Sequence, residues 1–207
     1  MDRVLDWLAE RQNARRGLTL AGAALVAVAV LFLAFPVYTD FVHNDLQGKL
    51  SKELGTPAVR QAYLAGTLRS GQSLTRILIP KLGVNVVVVQ GIDENALRAG
   101  AGHYPDTPLP CDAGDVGIAG HRTTYGKPFA NVDRLAPGDK IILQTPVGSC
   151  VYRVAQAPFV VLPTDWSVVA NTPGQFELTL TSCHPKGSAS HRIVIKADMV
   201  SSEPNPT

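Results

Sequence analysis

"TLTSCHPKGSASHR", residues Thr179–Arg192, decides how the chain is read. The run of Thr and Leu before Cys183 reads as the end of a β-strand, and Arg192 opens the next strand-like run, "HRIVIKADMV". Between them lie Pro, Gly and Ser, the residues of turns and loops. A cysteine therefore ends one strand and an arginine, nine residues later, begins another. These residues alone leave three readings of Cys183 open: a packed core residue, half of a disulfide, or a nucleophile.

The same texture extends back to Leu74. "LTRILIP", "NVVVVQG", "VGIAGH", "DKIILQT", "CVYRVAQAPFVVL", "FELTLTSC" and "HRIVIKADMV" are seven strand-like runs rich in Val, Ile and Thr. Gly, Pro and Asp clusters separate them, and two short helical pieces, "DENALRAG" and "FANVDRL", interrupt. Many short strands with few helices predict an all-β sandwich or a closed barrel over residues 74–200. The polar end "SSEPNPT", residues 201–207, is expected to be disordered.

The N-terminal part is different. "GLTLAGAALVAVAVLFLAFPVY", residues 17–38, carries no charge. About 20 apolar residues suffice for a helix to cross a bilayer, where every backbone polar group must be paired internally. Pro36 and Tyr38 sit where an interface is expected to end that helix. A cleaved signal peptide is the rival reading, but its apolar region runs only about 7–15 residues. The small-x-small match Ala27–Ala29 lies inside the run and no such site follows it. An uncleaved anchor is the expectation. Arg3, Arg11, Arg15 and Arg16 precede the run, and no Lys or Arg follows until Lys49. That asymmetry keeps the N-terminus in the cytoplasm and puts the rest outside the cytoplasmic membrane. Residues 1–16 read as a short amphipathic helix with Val4, Leu5 and Leu8 on one side, and residues 39–73 as a linker or leading helix.

Composition excludes one broad class. Net charge is only +2, from 19 basic and 17 acidic residues, so no clustered basic face points to nucleic acid. The cysteines are more informative. Outside the cytoplasm, two of Cys111, Cys150 and Cys183 can pair, leaving an odd thiol. Counting does not separate the three pairings.

A nucleophilic thiol needs a proton-handling neighbour. Of His43, His103, His121, His184 and His191, His121 stands out. It ends "VGIAGH" and enters the loop "RTTYGKPF", the place where functional groups on β scaffolds tend to sit; the bland alternative is a turn-capping histidine. His103 reads as structural. Arg192 is either half of a strand-edge ion pair or a fixed positive charge for an oxyanion. Two metal readings are weaker. Cys183, His184 and His191 lack the fourth ligand that structural zinc requires. Asp106, Asp112, Asp115 and Asp133 form no dense carboxylate cluster for calcium. No metal or other cofactor is expected.

"TLTSC" with an arginine nine residues on, preceded by "AGHRTTYGKPF", resembles the sortase family, whose pattern is Thr-Leu-x-Thr-Cys with an upstream histidine and a downstream arginine. "RLAPGDKIIL" and "AGHYPDTPLP" look like its class E members from high-GC Gram-positive bacteria. The resemblance covers about residues 74–200 and departs at Ser182, where the family usually has Thr. It implies a closed antiparallel β-barrel with short helices and a catalytic trio of Cys183, His121 and Arg192. It also implies a reaction in which a Thr–Gly bond of a C-terminal sorting signal is cleaved and the protein is joined to a cell-wall precursor amine of the lipid II type. The partners would be signal-bearing surface proteins, the wall precursor and the membrane. Class E resemblance suggests Leu-Ala-x-Thr-Gly signals, where most sortases prefer Leu-Pro-x-Thr-Gly. Thr181, Ser182, Tyr104 and Tyr125 are expected to contact substrate; for the two tyrosines ordinary partial burial is the competing reading. With Cys183 as nucleophile, Cys111 and Cys150 become the expected disulfide pair. Alternatives of the same chemistry are a pilus-polymerising sortase and a sortase-like hydrolase; the non-enzymatic alternative is a membrane-tethered module that binds wall proteins.

Overall fold

The run "NVVVVQG" shows how sequence becomes architecture here. In a strand, successive side chains face opposite ways, so four consecutive valines bury both faces. In the computed structural model of the chain, which describes residues 2–204 without the side chains of residues 2–6, 8–10, 13 and 14, both faces are indeed covered. Val88 points into the central core with Ile77, Val116, Ile141, Leu178 and Ile195. Val87 and Val89 point outward and meet Leu46, Leu50 and Leu54, together with Ala96 and Ala99. The leucines recur every fourth residue, one stripe of a helix.

That helix is α1 (Asp2–Leu54), followed by α2 (Pro57–Leu64). The strands are β1 (Ser73–Ile79), β2 (Val84–Gln90), β3 (Ala101–His103), β4 (Gly114–Ala119), β5 (Lys140–Gln144), β6 (Gly148–Val154), β7 (Phe159–Val161), β8 (Phe176–His184) and β9 (His191–Pro204), with helix α3 (Glu94–Ala99) between β2 and β3. The strand order is β6-β5-β1-β2-β3-β4-β8-β9, and β6 pairs with β9 to close an eight-stranded barrel. β7 adds to the first residues of β9. Closure removes the open edges that a flat sheet would present.

The barrel is closed as expected, but not wholly antiparallel. β2 with β3, and β4 with β8, are parallel. A parallel pair needs a crossover rather than a tight turn. α3 supplies the first, which explains the helical piece at "DENALRAG". The second crossover consists of everything from Gly120 to Gln175 and includes β5, β6 and β7. The other helical piece, "FANVDRL", is a single 3-10 turn at Val132–Arg134.

Two compact units divide the chain, Met1–Tyr38 and Thr39–Thr207. In the first, the apolar side chains of residues 17–38 are exposed, and the helix is long and apolar enough to cross a membrane. The expected amphipathic face of Val4, Leu5 and Leu8 lies outside the described side chains. Pro36 does not end the helix, which continues to Leu54. A proline removes one amide donor, a loss that the turns on either side tolerate. In the second unit, residues expected to act as a linker pack on the barrel. Tyr63 of α2 is buried, and its hydroxyl donates to the Pro110 carbonyl. The polar end also departs from expectation: Ser201–Pro204 extend β9 along β6 through Pro204, while residues 205–207 lie outside the described part. Pairing with the free side of β6 gives these polar residues backbone partners they could not find alone.

Candidate active site

Strand register brings the expected trio together. β4 and β8 run parallel with Ala119 opposite Thr181. Two residues further along each strand direction come His121 and Cys183, so both emerge at the same end of the barrel. β9 returns antiparallel to β8, with Arg192 directly opposite Cys183. Three adjacent strands thus deliver an imidazole, a thiol and a guanidinium to one place, although the imidazole lies far from the other two in sequence. All three line one cavity of about 250 Å³.

Local bonds fix the pieces. Cys183 is the free cysteine and is half-buried, whereas Cys111 and Cys150 are bonded across a sequence separation of 39. Arg192 donates from Nη1 to the carbonyls of Ala189 and His191, both at 3.0 Å, which ties the guanidinium to the loop between β8 and β9. Burial lowers the pKa of His121 below its ordinary value. Tyr125 packs its ring against the imidazole, centroid to centroid 5.4 Å. No hydrogen bond joins Cys183 Sγ to His121 among the described residues; such contacts often tighten only when substrate is bound.

The residues expected to touch substrate divide. Tyr104, Thr181 and Ser182 line the cavity, and Tyr125 flanks His121 without lining it. The Tyr104 hydroxyl is 2.8 Å from Thr181 Oγ1. Ser182 is buried, and its hydroxyl donates to the Gly120 carbonyl at 2.7 Å. That hydroxyl therefore holds the residue just before His121, a use that Thr in its place would also permit. Gly120 could carry no side chain there, since a Cβ would stand 2.6 Å from the Phe129 ring.

Two neighbours escaped the sequence reading. Arg122 is only 4% exposed. Its Nε donates to the Ala130 carbonyl at 3.1 Å, Nη2 pairs with Asp133 at 2.7 Å, and Nη1 reaches the carbonyl of Cys183 itself at 3.3 Å. The residue after His121 thus braces the backbone of Cys183. The available signal was a charged residue at the mouth of an apolar strand, with an aspartate eleven positions on. Trp166 is the other: it is 61% exposed, sits on the long connection before β8, and meets Tyr104 edge-on at 6.3 Å across the cavity wall.

His103, Asp115 and Asp133 are engaged elsewhere. His103 is fully buried, with Nδ1 2.8 Å from Gln90 Oε1 and Nε2 2.8 Å from the Pro108 carbonyl. Asp115 is buried against Lys196 at 2.6 Å and Thr179 at 2.8 Å, and Asp133 serves Arg122. Among the described residues, no three His, Cys, Asp or Glu side chains gather as a metal site.

Comparison with known proteins points to one family. Residues 77–200 match the sortase domain family. The chain belongs to the sortase family. Its class E-like character is shown by similarity to sortase SrtE1 of Streptomyces coelicolor, 35% identical over 201 residues, which cover 88% of this chain and 57% of that protein. The chain thus spans little more than half the length of that curated relative. Among solved structures, it is similar to sortase E1 from Streptomyces coelicolor with a tripeptide in the active site: 34% identity, TM-score 0.60, covering 65% of this chain and 91% of that one. It is also similar to a Clostridium perfringens sortase D5 transpeptidase, at 25% identity and TM-score 0.67, covering 77% and 99%. In this sortase, the helices before residue 77 lie outside the matched domain.

Proposed function

We propose that the protein is a membrane-anchored cysteine transpeptidase. The observation that carries the reading is the shared cavity: Cys183, His121 and Arg192 face one space, with Arg192 directly opposite Cys183. The Cys183 thiolate attacks the carbonyl carbon of the Thr–Gly bond, and the tetrahedral intermediate places its negative charge beside Arg192. Collapse breaks the C–N bond, and His121 gives its proton to the departing glycine amine, leaving a thioester on Cys183. An acceptor amine then attacks the thioester, His121 takes the proton released, and Cys183 leaves as thiolate. Burial disfavours the charged imidazole and so works against the proton-donating form of His121.

The sorting signal is proposed to be Leu-Ala-x-Thr-Gly or Leu-Pro-x-Thr-Gly, and the acceptor a peptidoglycan-precursor amine. Tyr104, Thr181 and Trp166 supply aromatic and hydroxyl surface for an extended peptide. Residues 17–38 are the proposed single membrane span, with the N-terminus in the cytoplasm and the barrel facing the wall; the uncharged run and the arginines before it support this. Incubating the full chain with both peptides, with and without triglycine or diaminopimelate, tests the reading. Cleavage by the wild type, ligation when amine is present, and neither with Cys183→Ala are expected. Failure to cleave either peptide, or cleavage surviving in Cys183→Ala, defeats it; cleavage without ligation selects a hydrolase.

A further inference from the structure

The loop that carries His121 is gripped from outside the barrel. Its outer turn holds three consecutive left-handed residues, Tyr125 at φ +49, Gly126 at +71 and Lys127 at +49. Non-glycine residues adopt this conformation at a cost and keep it only when their surroundings impose it. The surroundings here are residues 40–47 of α1. Asp40 accepts a hydrogen bond from the Gly126 amide at 3.2 Å and pairs with Lys127 at 3.3 Å. One helical turn on, the His43 ring lies flush on Gly126, where an added Cβ would overlap its Cδ2 and Nε2. His43 is 5% exposed, and its Nδ1 has no hydrogen-bond partner among the described residues. A further turn on, Gln47 fixes the helix: its amide accepts from Val87 N–H at 2.7 Å and donates to the carbonyls of Val87 and Ala99 at 2.9 and 2.8 Å.

We infer that His43 is a positioning residue for His121, its ring wedged on Gly126 so that the strained turn, and with it the imidazole, holds one orientation beside Cys183. The role rests on His121 being the proton carrier proposed above. It is distinct from the trio, because His43 does not line the cavity. A buried polar ring with an unpartnered nitrogen is an expensive way to fill space, unless its shape and position do something an aliphatic residue does not. The charged or titratable groups around it are Asp40 and His121, with Lys127 paired to Asp40. Burial keeps His43 neutral by lowering its pKa, against the pull of Asp40. A neutral wedge does not add a second positive charge when His121 becomes protonated.

Full-length protein in detergent micelles, selectively labelled at histidine, tests this. Peptide cleavage gives kcat and KM, and the Cε1–H resonance of His121 gives its titration. His43→Ala is expected to lower kcat about tenfold or more with KM within about twofold, since small misplacements of a catalytic group are costly. The His121 titration should move up toward the ordinary imidazole value as the loop becomes exposed. His43→Phe, which restores a ring, should recover most of the loss and move the titration back. A second arm uses Gly126→Ala: its effect on kcat should be smaller in the His43→Ala background, where the overlapping ring is gone. An unchanged His121 titration in His43→Ala, or strictly additive effects of the two substitutions, overturns the inference. Should the wild type cleave no peptide, the transpeptidase reading fails, while the titration and its response to His43 still decide the wedge.

Discussion

Replacing Arg122 is the sharpest test of how the site is braced. The guanidinium is buried and contacts the Ala130 carbonyl, the Cys183 carbonyl and Asp133, with a longer approach of 3.5 Å to His184 Nδ1. Arg122→Ala leaves two part-buried carbonyls without that charged donor, at about 1–3 kcal/mol each. The contact to Cys183, at 3.3 Å, is the weaker of the two and belongs at the low end of that range. The Asp133 side chain is 45% exposed, so loss of the ion pair adds less than about 1 kcal/mol. The sum is about 2–5 kcal/mol, or a fall of roughly 10 °C in Tm for a domain of this size. Arg122→Lys keeps the charge but not the planar fork, so it can satisfy only part of the set, and about half the loss is expected. Thermal unfolding of the full chain followed by near-UV circular dichroism measures both. A fall in Tm below about 2 °C for Arg122→Ala would refute the bracing, because no arrangement of these contacts is compatible with so small a loss.

Two further outcomes follow from buried groups. Without reductant, alkylation should label Cys183 alone, and reduction should expose Cys111 and Cys150 with a loss of stability near 4 kcal/mol, the loop-entropy value for a separation of 39 residues; labelling of all three cysteines beforehand would contradict the bond. His103, held neutral by burial with a pKa pushed down to about 4, binds its proton more readily in the unfolded chain. Its contribution is full above pH ~6.5 and is lost progressively as pH falls toward about 4, by on the order of 3 kcal/mol. Urea unfolding of wild type and His103→Gln between pH 7 and 4 should therefore show a flatter pH dependence in the variant, and parallel curves would refute the assignment.

Much of the barrel was legible because burial leaves a local trace. The alternation in β5 and β6, the two-sided valines of β2, and the Thr-Leu-Thr rise to Cys183 each report which way neighbouring side chains point. β3 was missed because three residues are too few to carry a period. β6 and β7 were merged because both read as one apolar stretch, and only the register against β9 separates them. Pro36 was read as a helix end, but the propensity of one residue yields to the turns around it.

The site divides along the same line. The order of residues already offered the groups, a cysteine that ends one strand, a histidine that leaves another and an arginine that starts the next, but which cysteine stays unpaired is shown by the Cys111–Cys150 bond. Tertiary structure alone decided their meeting. β4 and β8 pair with Gly114 opposite Phe176, 62 residues apart, and nothing in either strand specifies that the two run parallel or in that register. It also decided the supporting residues. His43 and Asp40 belong to no motif, and Arg122 lies in a motif that does not reveal its task; their roles depend on a glycine, an amide and a carbonyl brought near by the chain path. Hydrophobic patterning reports whether a residue is buried, whereas a hydrogen bond across the fold requires knowing what it is buried against.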